Sequence, residues 1–439
     1  MELINGVPWW MVALMVCGVL ALVLVTSALF LPDLHQPRMC ADHDAAAESP
    51  EFLDHLATLL NVPVIEGGEA RVLQNGDAFF TAMLGAISGA TDTINFQCYI
   101  WESGSVSDQF IAALSAAATR GVEVRVLVDA FGAMKFKGKD RDRLRAGGVT
   151  LSFFRPLSPR NVVRMFKRSH QRAIVVDGIT GYTGGAAVAD KWSGDAGSVA
   201  EWRDSMLELE GALAATVQVA FAVDWQHTCG EVLIGPRFFP TRERDAEAAD
   251  DDAPQGSPRG FGLVSSPSDA HQPIRTCFWA SFRSARRYLY ISSSYFIPDA
   301  RLRGIVSERA RNGVDVRILV PGGTTDARPV RYAGQAHYQE LLEAGVRVYE
   351  YQATMMHAKT VVVDDVWSLG GSANLDERSM ELNEENLVGI CDATLACAIA
   401  DGFRHDLERS TEINLEEWSR RWIGARIAEQ LSRALIEQY

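Results

Sequence analysis

The sequence predicts an α/β protein built as two similar lobes and preceded by one transmembrane helix. Three observations carry this reading: an uncharged apolar run near the N-terminus, a helix–glycine–strand pattern that occurs twice, and a histidine motif that recurs once in each copy. A chain of 439 residues is also too long for one ordinary core of about 100–200 residues, so more than one folded unit is expected.

The run 7–31 (VPWWMVALMVCGVLALVLVTSALFL) carries no charge. At ~1.5 Å per residue it exceeds the roughly 30 Å hydrocarbon layer of a bilayer. Trp9 and Trp10 stand where an interfacial belt would lie. No Lys or Arg precedes the run, and its apolar core is longer than that of a cleaved signal, so it reads as a retained single-pass anchor. The nearest basic residue on its C-terminal flank is Arg38, which leans the body toward the cytoplasmic side of the inner membrane. Residues 32–69 then form a juxtamembrane segment.

The body repeats itself. Gly121-Val-Glu-Val-Arg-Val-Leu-Val128 returns as Gly313-Val-Asp-Val-Arg-Ile-Leu-Val320, each after a segment of helical character, 110–120 and 302–312. Both copies read as helix, glycine stop and buried strand. Another strand-like run precedes each copy, 93–101 (TINFQCYIW) and 288–297 (YLYISSSYFI), and Ala146-Gly-Gly-Val149 or Ala344-Gly-Val346 leads each into an aromatic-rich strand. Strands alternating with helices imply parallel pairing. The lobes are placed at 70–239 and 261–439, and 240–260, charged and punctuated by Pro and Gly, is expected to be a solvated linker.

Charge narrows the partners. The formal net charge is −14, from 42 Lys+Arg against 56 Asp+Glu, which argues against affinity for a nucleic-acid backbone. Cysteines 17, 40, 98, 229, 277, 391 and 397 contain no C-x-x-C pair, so neither a disulfide framework nor a metal site is expected.

The chemistry sits in the duplicated motif, His170-Gln-Arg172-Ala-Ile-Val-Val-Asp177 in one lobe and His357-Ala-Lys359-Thr-Val-Val-Val-Asp364 in the other. A cation two residues after a histidine shares its face on a strand. Downstream each lobe has a glycine turn, Gly184-Gly-Ala-Ala187 or Gly371-Ser372-Ala-Asn374, and then a carboxylate, Asp204 or Glu385. Two facing sets of histidine, cation and carboxylate supply what phosphodiester transfer requires: a nucleophile, a proton donor for the leaving oxygen and cations for the nonbridging oxygens. One imidazole would attack phosphorus and the other would protonate the leaving alcohol, with no metal or other cofactor needed.

From about residue 70 onward the chain resembles the phospholipase D superfamily, and within it the bacterial cardiolipin synthase branch. The resemblance rests on both histidine motifs, Gly371-Ser-Ala-Asn-Leu-Asp-Glu-Arg378-Ser with Leu382-Asn-Glu-Glu385, Tyr99-Ile-Trp101, Tyr182-Thr-Gly-Gly185, Trp202-Arg-Asp204 and Phe221-Ala-Val-Asp-Trp225. It implies two α-β-α sandwich lobes related by a pseudo-twofold axis, with one active site between them. It implies ping-pong transfer of a phosphatidyl group, with His170 as nucleophile and His357 as general acid and base. Arg172, Lys359 and Asn374 would hold phosphate oxygens. Asp204 and Glu385 would orient the histidines, Ser372 belongs to the same shell, and Asp177 and Asp364 read as anchors of the motif. Two positions depart from the family pattern: Arg172 stands where a lysine is expected, and Ala187 where the symmetrical asparagine would be. Arginine keeps the charge but changes its geometry.

Two surfaces bear on the substrate. Arg155, Arg160, Arg164, Lys167, Arg168 and Arg172, interleaved with Met165 and Phe166, read as a basic approach for anionic phospholipid headgroups at a membrane. Trp418, Trp422, Ile427, Leu431 and Leu435 are spaced as a helical stripe expected to pack on a lobe. The expected function is cardiolipin formation from phosphatidylglycerol and a second phospholipid. Hydrolysis of the same bond, nucleic-acid phosphodiester cleavage and a silent lipid-binding role are the competing expectations.

Overall fold

The computed structural model describes residues 8–30, 38–42, 45–156, 167–240, 257–267 and 272–436. In chain order the strands are β1 (Ile65–Glu66), β2 (Glu69–Gln74), β3 (Thr93–Cys98), β4 (Glu123–Asp129), β5 (Thr150–Phe154), β6 (Ala173–Val176), β7 (Thr180–Gly184), β8 (Ser205–Glu210), β9 (Arg259–Ser265), β10 (Tyr288–Ser292), β11 (Asp315–Pro321), β12 (Arg347–Tyr351), β13 (Thr360–Val363), β14 (Trp367–Gly371), β15 (Glu385–Cys391) and β16 (Ser410–Glu412). They form two sheets, ordered β2-β8-β7-β6-β3-β4-β5 and β1-β9-β15-β14-β13-β10-β11-β12-β16. Between its edge strands β1 and β16, the second sheet follows the same order as the first.

Pairing is parallel only within β3-β4-β5 and β10-β11-β12, where the helix–glycine–strand units lie. The rest of each sheet is antiparallel, so the parallel pairing expected from helix–strand alternation holds only there. The reason is local. β6 and β7 are joined by a tight turn with positive φ at Asp177 (52°) and Gly178 (66°), and β13 and β14 by one with positive φ at Asp364 (54°) and Asp365 (59°). Such turns return the chain antiparallel, with no helix between the strands.

Both aspartates also hold the neighbouring strand. The Asp177 carboxylate accepts the backbone N–H groups of Thr91, Asp92 and Thr93 at 2.8, 2.8 and 2.9 Å, where β3 begins. Asp364 accepts those of Arg286, Arg287 and Tyr288 at 2.6, 2.9 and 2.7 Å, where β10 begins.

Three cores result. One lies outside the first sheet, around Phe79, Phe96, Phe110 and Trp101, and a second outside the other sheet, around Phe261, Trp367, Ile291 and Ile318. The third is shared: helices Ala214–Cys229 and Ala393–Glu408 bring Phe221, Trp225, Ile399 and Phe403 between β4, β6 and β8 on one side and β10, β13 and β15 on the other. The period-2 alternation of β6 serves this arrangement, with Ala173 and Val175 facing the shared core and Ile174 and Val176 the outer one. A buried ion pair crosses between the halves as well, Arg203 Nε to Asp406 Oδ1 at 2.9 Å, with the two side chains 5% and 4% exposed.

The segment expected only as a juxtamembrane connection builds part of the second half. Helix Pro50–Leu60 buries Phe52, Leu53 and Leu56, with Phe52 edge-on to Trp367 at 5.4 Å, and β1 extends the sheet beside β9.

The N-terminal expectation is corrected. Trp9–Phe30 is helical. Among the described residues no helix is long and apolar enough to cross a membrane. The single-pass inner-membrane placement and its sidedness therefore have no described span to rest on. Of the expected linker, residues 241–256 lie outside the described residues. The C-terminal stripe is also not continuous. Trp418 is buried against Tyr338 at 5.1 Å, whereas Trp422 and Leu431 are 78% and 61% exposed, and the side chains of Ile427 and Leu435 lie outside the described residues. The chain breaks between helices Leu415–Ser419 and Ile423–Ile436, so the spacing never shares one helix face.

Arg203→Ala would leave Asp406 buried without a partner. It is expected to lower the unfolding free energy by about 3–5 kcal/mol in chemical denaturation. A loss below about 1 kcal/mol would mean the pair does not secure the two halves.

Candidate active site

The histidines stand just ahead of the motif strands, since β6 begins at Ala173 and β13 at Thr360. Their segments pair instead with the opposite half. His170 N–H donates to the Glu384 carbonyl and Glu384 N–H to that of Arg168, both at 2.9 Å. Arg203 N–H donates to the Met355 carbonyl at 2.9 Å and His357 N–H to that of Arg203 at 2.6 Å. Each short ladder sets a histidine beside a carboxylate that the other half carries.

The crossing is explicit in the side chains. His170 Nδ1 lies 2.9 and 3.0 Å from the two Glu385 oxygens, and His357 Nδ1 lies 2.7 Å from Asp204 Oδ2. A carboxylate on Nδ1 fixes the proton there and turns the Nε2 lone pair toward the cleft. The carboxylates are held in turn. Ser372 Oγ donates to Glu385 at 2.5 Å and Asn383 Nδ2 at 3.2 Å, while Trp192 Nε1 and the Ser205 N–H each donate to Asp204 at 2.8 Å. Room for this comes from glycine: a Cβ on Gly185 would fall 2.3 Å from Asp204 Oδ1 and 2.7 Å from the His357 carbonyl oxygen.

The cations lie under the imidazoles. Arg172 is 1% exposed, donates through a terminal nitrogen to the His170 carbonyl, and has no partner for its buried Nε. Lys359 Nζ donates to the His357 carbonyl at 2.9 Å and to Ser294 Oγ at 2.8 Å, and Ser294 Oγ donates to Asn374 Oδ1 at 2.7 Å. A cleft of ≈ 210 Å³ opens above these groups, lined by both histidines, Arg172, Asn374, Tyr99, Trp202, Tyr295 and Asp326 among others. Among the described residues no group of side chains is arranged to hold a metal ion.

Burial and the adjacent cations act together on the imidazoles. Burial, followed by Arg172, pushes His170 down to about 4; burial, followed by Lys359, pushes His357 down to about 3. Lys359 falls to about 7, chiefly because it is buried. Burial acts to raise Glu385, but His170, Ser372 and Arg172 outweigh it and hold that carboxylate down to about 2. Both imidazoles are therefore neutral at neutral pH, above the two cationic side chains. An anion in the cleft would offset those cations and make protonation of one imidazole easier.

Of the ten residues singled out from the sequence, His170, His357, Arg172, Lys359, Asn374, Ser372, Asp204 and Glu385 come together here. Asp177 and Asp364 do not: each lies seven residues beyond its histidine, roughly 20 Å along extended chain, capping backbone N–H groups. Among the described residues of the basic approach, Arg155, Arg168 and Arg172 are turned into the protein. Arg155 pairs with Glu384 at 2.7 Å and Arg168, 2% exposed, lies 3.5 Å from Asp129, while Arg160, Arg164, Met165 and Phe166 lie outside the described residues. Ser294 and Asn386 were not singled out. Asn386 directly follows Glu385, and its side chain accepts the Arg172 N–H at 3.1 Å and donates to Thr183 at 2.7 Å. Ser294 lies in the serine run ahead of Tyr295, whose pattern alone carried no polar periodicity.

A family model described as "Cardiolipin synthase, PLD-like domain" matches residues 83–225 and 279–407. Cardiolipin synthase 2 of Bacillus anthracis is 31% identical over 369 residues, 84% of this chain and 70% of that protein. The major cardiolipin synthase ClsA of Bacillus subtilis (strain 168) is 31% identical over 411 residues, 92% and 82% of the two chains. Among solved structures, phosphatidylserine synthase of Haemophilus influenzae Rd KW20 shares the fold with a TM-score of 0.67 at 15% identity, covering 88% of this chain and 99% of that one. One family model thus spans both histidine motifs and the relatives match along most of their own length, and the chain belongs to the cardiolipin synthase family of phospholipase D-like proteins.

Proposed function

We propose that the protein is a phosphatidyl transferase that makes cardiolipin from phosphatidylglycerol and a second phospholipid, through a phosphohistidine intermediate. The observation that carries this reading is the pair of imidazoles facing one cleft, each held at Nδ1 by a carboxylate from the opposite half. In this reading the lobes 70–239 and 261–439 are related by a pseudo-twofold axis; the common strand order of the two sheets supports that relation.

His170 Nε2 attacks phosphorus, the bond from phosphorus to the leaving glycerol oxygen breaks, and His357 gives that oxygen its proton. The acceptor hydroxyl then gives its proton to His357 and attacks phosphorus, and the P–N bond breaks to restore His170. Arg172, Lys359 and Asn374 hold the nonbridging oxygens as charge builds on them. Glu385 supports the imidazole while phosphorus is bound to it, and Asp204 supports the protonated state of His357. The cardiolipin synthase relatives support the choice of phospholipids as substrates. Glycerol departs and a bulky lipid alcohol replaces it, so the cleft must exclude water during the life of the intermediate.

His170→Ala and His357→Ala, assayed with labelled phosphatidylglycerol in detergent, are each expected to lose at least about 10³-fold in turnover. Cardiolipin and glycerol are the expected products of the parent; phosphatidic acid alone would replace transfer with hydrolysis. Lys359 carries its charge below about 7 and loses it above. The kcat/KM profile should therefore fall as pH rises through about 7, and Lys359→Arg should move that limb above ~9 at a lower maximum. A limb that stays in place in the arginine variant would assign it to another group.

A further inference from the structure

The two histidines rest on different supports. Directly before His357 stands Met356, fully buried in the shared apolar core with Phe403. Directly before His170 stands Ser169, and its surroundings are polar. Ser169 Oγ donates to Asp224 Oδ2 at 2.6 Å, and the Gln97 amide donates to both, at 2.9 Å to Ser169 Oγ and 2.5 Å to Asp224 Oδ2. The Ser169 N–H donates to Asp129 Oδ2 at 3.1 Å, and the other Asp129 oxygen is held by the N–H groups of Phe131 and Gly132. Gln97, Ser169 and Asp224 are 1%, 2% and 3% exposed.

The contrast lies at matched positions. Helices Ala214–Cys229 and Ala393–Glu408 both have 16 residues, and Asp224 and Phe403 occupy the same place in them. Gln97 pairs with Ala173 and Ser292 with Thr360, each three residues after its histidine. Asp129 and Pro321 each end the strand that follows the glycine stop. One copy thus fills this layer with Ser, Asp, Gln and Asp, the other with Met, Phe, Ser and Pro.

A buried hydroxyl–carboxylate–amide ring costs desolvation that the apolar packing of the second copy avoids. Directional hydrogen bonds gain angular definition in return, which close packing around a flexible methionine does not provide. We propose that Asp224, acting through Ser169, is a positioning residue for His170: the ring sets the pitch of the 168–170 segment and thereby the line from Nε2 to phosphorus. The nucleophile needs that line fixed while a bond forms and breaks, whereas a proton donor tolerates more play. The inference rests on the assignment of His170 as nucleophile in the proposed transfer.

The test uses the full chain in detergent and the variants Ser169→Ala, Ser169→Thr and Asp224→Ala. Ser169→Ala is expected to lower kcat for phosphatidylglycerol by 10- to 100-fold with KM changed less than twofold, and Asp224→Ala to do the same if it folds. Ser169→Thr, which keeps the hydroxyl but adds bulk, is expected to stay within threefold of the parent. A second readout needs no turnover: in histidine-¹⁵N-labelled protein, the His170 Nδ1–H signal, identified by its loss in His170→Ala, is expected to shift in Ser169→Ala and to hold in Ser169→Thr. A threonine variant as impaired as the alanine one, or an alanine variant with parental kcat and an unmoved signal, would overturn the proposal. If the parent fails to turn over phosphatidylglycerol, the transfer reading fails, and the ¹⁵N signal alone decides the positioning claim.

Discussion

The structure depends on a crossed pairing: His170 from the first half is held by Glu385 from the second, and His357 from the second is held by Asp204 from the first. Neither half can orient its own histidine. This requires the halves to meet with sub-ångström fidelity, and the fold meets that requirement with three nested devices. A shared apolar core joins the sheets, the buried Arg203–Asp406 pair locks the segment that carries Asp204 to helix Ala393–Glu408, and backbone ladders at Ser169–Glu384 and Arg203–Met356 set the register within which the side chains pair.

The same pairing organises the electrostatics. Two imidazoles, two cations and two carboxylates share a small buried volume, and burial opposes every charge in it. The carboxylates remain ionised because histidine, serine and cation contacts outweigh burial, and the imidazoles remain neutral because burial and the cations act in the same direction. With the imidazoles neutral, the two cations offset the two carboxylates; a bound phosphodiester would add one negative charge that protonation of one imidazole offsets, in a site whose hydrogen bonds are already oriented.

Much of this was legible in the sequence because duplication exposes it. The repeated Gly-Val-x-Val-Arg-x-Leu-Val units mark the parallel strands, and H-x-[RK] with a later Asp or Glu marks the groups that meet. What the sequence could not supply was partnership across halves. Nothing in the spacing of His170 and Asp204 reveals that they belong to different pairs. Asp177 and Asp364, read from the sequence as anchors of the motif, cap the start of the neighbouring strand, since a carboxylate in a positive-φ turn is suited to collecting backbone N–H groups. The arginines at 155 and 168 looked like a surface because long cationic side chains usually are, and the structure turned both inward onto Glu384 and Asp129. Composition also gave no sign that Ser169 and Met356 occupy the same place. The two supports differ in chemistry, although Ser169 and Met356 each make one backbone bridge to the opposite half.

In the proposed transfer a single histidine, oriented from the opposite half, carries the phosphatidyl group between two alcohols. Acid-free rapid quenching of the parent protein with labelled phosphatidylglycerol, followed by peptide mapping of the covalent adduct, tests this step. A phosphoramidate on His170 that forms and decays on the timescale of turnover is expected. Label on any other residue, or product formed by the parent with no histidine adduct detectable on the timescale of turnover, would contradict it.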